Sequence, residues 1–228
     1  MRFGVVTFPG SNGDHDALSA VEYGLEQEVA PVWHKDRSVD GFDALLVPGG
    51  FSYGDYLRAG AIARFSPVMG AVAEFAAEGG PVLGICNGFQ VLCEAGLLPG
   101  ALLPNAGLRF VCRQVEVEVE RTDSAFTGGC EQGARLSIPV KHMSGRYFAP
   151  DETLDALESN GQVVFRYADG NNPNGSSRGI AGVCNEGRNV VGLMPHPEHA
   201  VDAMTGSDDG LGLFRSVAAR LEPQAVRT

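Results

Sequence analysis

The four residues Val82-Leu83-Gly84-Ile85 are apolar throughout, too few for a helix, and closed off by Pro81 before them and Cys86 after them. A run this short and uniform reads as a strand buried on both faces, and such strands belong to parallel sheets covered by helices on each side. A helical stretch follows from about Gly88 to Ala95. The same alternation occurs upstream. Val5-Val6-Thr7-Phe8 reads as a buried first strand, and residues 14–28 carry Ala17, Leu18, Val21 and Leu25 at helical spacing. Val29 to Trp33 and Ala44-Leu45-Leu46-Val47 are two more strands, the second ending in the turn Pro48-Gly49-Gly50, and residues 56–78 look helical. Strand and helix repeating in this way predict an α/β fold with a doubly wound, mostly parallel sheet flanked by helices.

From Arg113 to Arg121 the pattern changes. Val115, Val117 and Val119 alternate with Glu116, Glu118 and Glu120, the mark of a strand with one wet face, and this predicts a small antiparallel annex. Further strands are expected at 135–140, 162–167, 179–184 and 189–194, a loop from Asp169 to Arg178, and a closing helix over about the last 20 residues, around Leu211, Phe214 and Val217. With no internal repeat and no linker-like tract, the 228 residues are expected to form one domain, 1–228.

Seventeen basic against twenty-eight acidic residues leave a formal charge of -11, which disfavours nucleic acid and anionic membrane surfaces as partners. No apolar run approaches the roughly 20 residues of a membrane-spanning helix, and the start has neither a basic leader nor a signal-length apolar stretch. The five cysteines are scattered, with no C-x-x-C pair, which suggests neither a disulfide framework nor a zinc site. A cytoplasmic, reducing location is expected, with no metal.

Gly84-Ile85-Cys86-Asn87-Gly88 is a G-x-C-x-G between a buried strand and a helix, parallel to the nucleophile elbow. A cysteine taken alone is more often a packing residue. At this turn, however, Cys86 stands above the sheet, and the helix N-terminus behind it stabilises negative sulfur. Such a nucleophile needs a base, and the base an orienting acid. Met194-Pro195-His196-Pro197-Glu198 offers both two residues apart at a strand end, with His196 as base and Glu198 as acid; His142 is the rival base. His15, His34 and His199 read as surface or satisfied histidines. Acyl transfer also needs donors to an oxyanion, each worth roughly 3 kcal/mol of barrier, and the amides of Asn87 and Gly50 are the candidates. Neither Gly10-Ser11-Asn12-Gly13 nor Gly49-Gly50-Phe51-Ser52 has the lysine of a phosphate-binding loop.

The elbow and the late P-x-H-P-E-type segment together resemble the triad class of glutamine amidotransferases. Phe8-Pro9-Gly10-Ser11-Asn12, the block from Val47 to Arg58, Gly84 to Gln90, Asn172-Pro173-Asn174-Gly175-Ser176 and Gly192 to Glu198 resemble, more narrowly, the small glutaminase subunits of phosphoribosylformylglycinamidine synthases. The likeness runs from about residue 3 to 215. It implies Cys86 as nucleophile, His196 as base, Glu198 as its acid, and Gln90 as a contact to the glutamine substrate. Three positions depart from the pattern. Gly13 stands where cysteine is common, Met143-Ser144 where Gly-Glu often precedes Gly145-Arg146-Tyr147, and His199 where arginine is common.

By that resemblance the chain hydrolyses glutamine to glutamate and ammonia and holds no cofactor of its own. ATP and magnesium are implied on the partner, a large synthetase subunit that converts formylglycinamide ribonucleotide to formylglycinamidine ribonucleotide, and a small accessory subunit is implied as well. Two alternatives stand beside this reading. One is a glutaminase of another pathway or a DJ-1/PfpI-like cysteine hydrolase, although the latter places its histidine where Asn87 stands. The other is a scaffold subunit that has kept the fold without turnover.

Overall fold

The computed structural model describes residues 1–221. Along the chain come β1 (Arg2–Thr7), α1 (Asp14–Ser19), β2 (Glu28–Trp33), β3 (Ala44–Val47), α2 (Val68–Ala77), β4 (Val82–Ile85), α3 (Asn87–Glu94), β5 (Ala101–Leu103) and β6 (Val111–Val119). Then follow β7 (Arg135–His142), β8 (Arg146–Phe148), α4 (Asp151–Ser159), β9 (Val163–Tyr167), β10 (Ile180–Cys184), β11 (Val190–Leu193) and α5 (Leu211–Leu221).

Nine strands form one sheet in the order β2-β1-β3-β4-β11-β10-β9-β6-β7. The first five are parallel, with Val82 opposite both Leu45 and Val190, and every residue of β3, β4 and β11 is buried. That burial is why these strands read as unbroken apolar runs. From β10 onward the pairings are antiparallel and extend the same sheet. A separate two-stranded antiparallel sheet, β5 with β8, lies beside it. The alternating valines Val115, Val117 and Val119 point into the core from β6.

Strand order reverses between β2-β1 and β1-β3-β4, so the carboxyl ends of β1, β3, β4 and β11 open on one edge. In an open α/β sheet this edge is where a ligand binds.

Two expected helices are shorter in the structure. The 14–28 period is α-helical only over Asp14–Ser19, widens to a π turn at Ala20–Gly24, and stops where Glu26 takes a left-handed φ of 56° before β2. Residues 56–62 are not α-helical, because Leu57 (φ 68°) and Gly60 (φ 80°) turn the backbone; the helix proper waits until Val68, after Pro67. Three elements lay outside the sequence reading: α4, β5 and β8. The closing helix runs to Leu221, and residues 222–228 of the expected segment lie outside the described residues.

Candidate active site

Cys86 ends β4 with φ 51° and ψ -103°, a left-handed conformation that a side chain tolerates only where the surroundings enforce it. They do. Its N–H donates to Leu193 O on β11 at 2.8 Å, and its C=O accepts the first helical bond of α3 from Gln90 N–H at 3.2 Å. The flanking glycines serve close packing. A Cβ on Gly88 would stand 1.8 Å from Val47 O of β3, and one on Gly84 would lie 2.8 Å from the Gly88 carbonyl carbon. The bend therefore falls on the cysteine, while the glycines let α3 press against the sheet.

β11 delivers the other half of the site. His196, buried and anchored by its N–H to Pro139 O at 2.8 Å, holds its Nδ1 2.6 Å from Glu198 Oε1. Its Nε2 is buried without a hydrogen-bond partner among the described residues, and Cys86 lines the same cavity. The absence of a side chain at Gly49 makes room for this: a Cβ there would sit 2.7 Å from His196 Cε1 and 3.7 Å from Cys86 Cβ. Burial pulls the His196 pKa down, but the charges of Glu198 and Cys86 outweigh it and raise the imidazole well above its usual range. Burial likewise pushes Glu198 up, and His196 reverses that to leave it lowered.

The cavity beside Cys86 has a volume of about 130 Å³ and is lined by Gly50, Gln90 and His196 among others. Gly50 forms a β-bridge with Ser11 in which Phe51 N–H donates to Gly10 O and Asn12 N–H to Gly49 O, leaving the Gly50 N–H without a backbone partner among the described residues. The Asn87 N–H, in the first turn of α3, lacks one too.

A chain of hydrogen bonds joins three walls of the cavity. Ser52 N–H donates to Asn87 Oδ1 (3.0 Å), Asn87 Nδ2 to Gln90 Oε1 (2.9 Å), and Gln90 Nε2 to Ser144 O (2.5 Å). Because the last acceptor is a backbone carbonyl, the serine at position 144 serves it as well as a glutamate would.

His142, the rival base, also reaches the cavity wall, but its ring is fixed from both ends. Nδ1 lies 3.1 Å from Asn105 Oδ1, and Asn174 Nδ2 lies 3.5 Å from Nε2. Burial lowers its pKa to about 4. A neutral imidazole committed to two amides has no free nitrogen for the sulfur. Asn174 also donates to Gly145 O and to Tyr167 Oη, and Asn172 Oδ1 accepts from the N–H groups of Gly175 and Ser176. The Asn172 to Ser176 segment thus buttresses the 142–145 wall from behind.

Of the other histidines, His34 bonds Tyr53 Oη at 2.7 Å. His199 lies 2.7 Å from Lys141 Nζ and 3.5 Å from Glu198 Oε1. Among the described residues, His196, Glu198 and His199 form the one cluster compact enough for a metal, with ligand atoms within 4.8 Å, but the Nδ1–Oε1 hydrogen bond already uses two of those atoms. All five cysteines are free. Sequence reading missed Asp55, Phe110 and Met143 as cavity residues. Asp55 had a signal in the Val47 to Arg58 block and Met143 in its departure from the family pattern, whereas Phe110 had none.

A CobB/CobQ-like glutamine amidotransferase domain matches residues 1–209. Subunit PurQ of phosphoribosylformylglycinamidine synthase from Rubrobacter xylanophilus is 63% identical over 96% of this chain and 98% of its own length. The chain belongs to the PurQ family of glutamine amidotransferases. Its relative of the same name from Thermomicrobium roseum is 59% identical over 95% of each chain. A chain in the solved structure of PurLQS from Thermotoga maritima superposes with a TM-score of 0.88 at 43% identity, covering 97% of this chain and 99% of that one. A putative GMP synthase subunit from Thermoplasma acidophilum, at 18% identity and a TM-score of 0.64, shares the fold. Family membership removes the DJ-1/PfpI-like alternative. No helix among the described residues is long and apolar enough to cross a membrane.

Proposed function

We propose that the chain is the glutaminase subunit of a phosphoribosylformylglycinamidine synthase, releasing ammonia from glutamine for a synthetase subunit in purine biosynthesis. The observation that carries this reading is a cysteine on a strained elbow sharing one cavity with a buried His196–Glu198 pair, in a chain 63% identical to a PurQ subunit.

In the proposed mechanism the Cys86 thiolate attacks the carboxamide carbon of glutamine. The N–H groups of Asn87 and Gly50 donate to the oxygen on which charge develops, each worth roughly 3 kcal/mol at the transition state. Imidazolium at His196 gives a proton to the departing nitrogen, which leaves as ammonia, and a thioester remains. His196 then takes a proton from water as that water attacks, and glutamate is released. Glu198 holds the imidazole in orientation and stabilises its charged form. Gln90 contributes to the substrate wall.

ATP and magnesium belong, on this reading, to the synthetase subunit, with a small accessory subunit completing a cytoplasmic complex. The cavity mouth supports a covered state: Phe51, Phe110 and Met143 line it while remaining 45%, 51% and 46% exposed, an apolar rim that water does not favour.

The test is glutamate release by wild type and Cys86→Ser, each alone and with the synthetase subunit, ATP and formylglycinamide ribonucleotide. Loss of about a thousandfold or more in the variant, with stimulation of wild type by the synthetase, is the expected result. Equal release by the two proteins would sink the nucleophile assignment. Absence of release from wild type under every condition would favour a scaffold.

A further inference from the structure

The cavity that holds Cys86, Gln90 and His196 also contains one carboxylate outside the triad, that of Asp55. The other ionisable side chains of its lining are committed elsewhere. Lys141 Nζ lies against His199 at 2.7 Å, His142 is held between Asn105 and Asn174, and His196 is bonded to Glu198. Asp55, by contrast, has one long contact among the described residues, Asn87 Nδ2 to Oδ1 at 3.5 Å, and no ion pair. Burial raises its carboxyl above the ordinary range, the response of an anion that has lost water and gained no counter-charge.

The loop beneath it is built to keep it there. Tyr53, Gly54, Asp55 and Leu57 have φ values of 53°, 69°, 54° and 68°, a left-handed series that is costly for all but the glycine and that persists only where the surroundings enforce it. The enforcing contacts are Ser52 N–H to Asn87 Oδ1 and Tyr53 N–H to Pro9 O at 2.7 Å. Strain held in place by buried hydrogen bonds has set an unpaired carboxylate into the wall of the reaction cavity.

Free glutamine differs from the asparagine and glutamine side chains of peptides in carrying an α-ammonium group. We propose that Asp55 binds that α-ammonium and so selects free glutamine over other primary amides. The inference rests on the glutaminase reading of the same cavity. It supplies the one counter-charge a half-buried ammonium needs, and it supplies the substrate to Asp55 as the partner the carboxylate lacks.

The test uses the complex with the synthetase subunit, ATP and formylglycinamide ribonucleotide, and reads glutamate formation from glutamine for wild type, Asp55→Asn and Asp55→Glu. Glutaramate, which is glutamine without the α-ammonium, is added as a competitor. Asparagine tolerates the left-handed backbone and matches aspartate in size, so Asp55→Asn removes the charge and little else. In that variant the KM for glutamine is expected to rise about tenfold or more, with kcat changing less than about threefold. The inhibition constant of glutaramate should stay within about twofold, and Asp55→Glu should keep more of the preference for glutamine than Asp55→Asn. A glutamine KM within twofold of wild type in Asp55→Asn overturns the proposal, as does equal weakening of glutamine and glutaramate or equal loss in the two variants. Wild type that forms no glutamate overturns the glutaminase reading itself, a result distinct from any of these.

Discussion

An imidazole and a carboxylate taken fully out of water, 2.6 Å apart, make His196 and Glu198 a unit whose two charges stand or fall together. Burial opposes both, and the mutual attraction prevails because little solvent remains to screen it. Glu198 Oε2 has no hydrogen-bond partner among the described residues, so what favours the carboxylate's charge is His196 first, then the nearby His199 and a backbone N–H. The sign of the consequence follows. A raised His196 pKa keeps the imidazolium present above its ordinary 6.5, and the proposed chemistry needs that proton for the departing nitrogen. The alkaline limb of kcat/KM is therefore expected well above pH 6.5. Glu198→Gln removes the largest raising influence, leaves burial to act, and should move that limb down by about a unit or more while lowering kcat/KM about a hundredfold. A pH–rate profile of the two proteins checks this, and an unmoved limb would mean that Glu198 does not set the basicity of His196.

At the scale of elements, the elbow depends on how closely α3 approaches β3. Gly88→Ala would force a methyl to within 1.8 Å of the Val47 carbonyl oxygen, which only separation of helix from strand can relieve, at about 3 kcal/mol or more. Gly70 is the control. It lies on α2 with nothing among the described residues within 4 Å of an added Cβ, so Gly70→Ala should stabilise by about 0.5–1 kcal/mol through helix propensity alone. Urea unfolding of both variants, with opposite shifts in midpoint, tests the reading. The same contrast explains what the sequence made legible. β3, β4 and β11 are covered on both faces, so their chemistry is written in consecutive apolar letters, and His196 with Glu198 is a local pair within one segment. Other features leave no local trace. α4 buries little more than Leu154 and Leu157, too few for a recognisable period, and β5 and β8 are three residues each. Residues 56–62 have helix-like apolar content but are turned by left-handed residues whose cause is the packing around them. The cavity wall made by Gln90 and Ser144 joins residues 54 apart in the chain, a contact that no spacing rule encodes.

Across the whole molecule, one buried histidine links stability to pH. His142 sits where the Asn105 loop, the end of β7, the Asn172 to Ser176 segment and Tyr167 of β9 meet, and each of its ring nitrogens faces an asparagine amide. Protonation would place a charge where burial disfavours it and set an N–H against the Asn174 amide donor. Its folded pKa of about 4 lies below the ordinary 6.5, so between those values the unfolded chain binds a proton that the folded one refuses. The contribution of His142 to stability is then complete above pH 6.5, declines as pH falls toward 4, and is constant below it. The gap corresponds to about 3 kcal/mol at the low end of that window. His34 and His199 are lowered as well and add to the slope, whereas the carboxylates whose pKa values are lowered act mainly below the window. A comparison with His142→Gln, which keeps an amide in the hub and removes the titration, isolates the group. Unfolding free energies at pH 7.5 and 4.5 should fall less in the variant than in wild type, by about 2–3 kcal/mol. Equal falls would place the acid sensitivity elsewhere. The expected difference would mean that acid weakens the fold through the hub that holds residues 142–145 against Gln90, because His142 in that hub is the group that titrates.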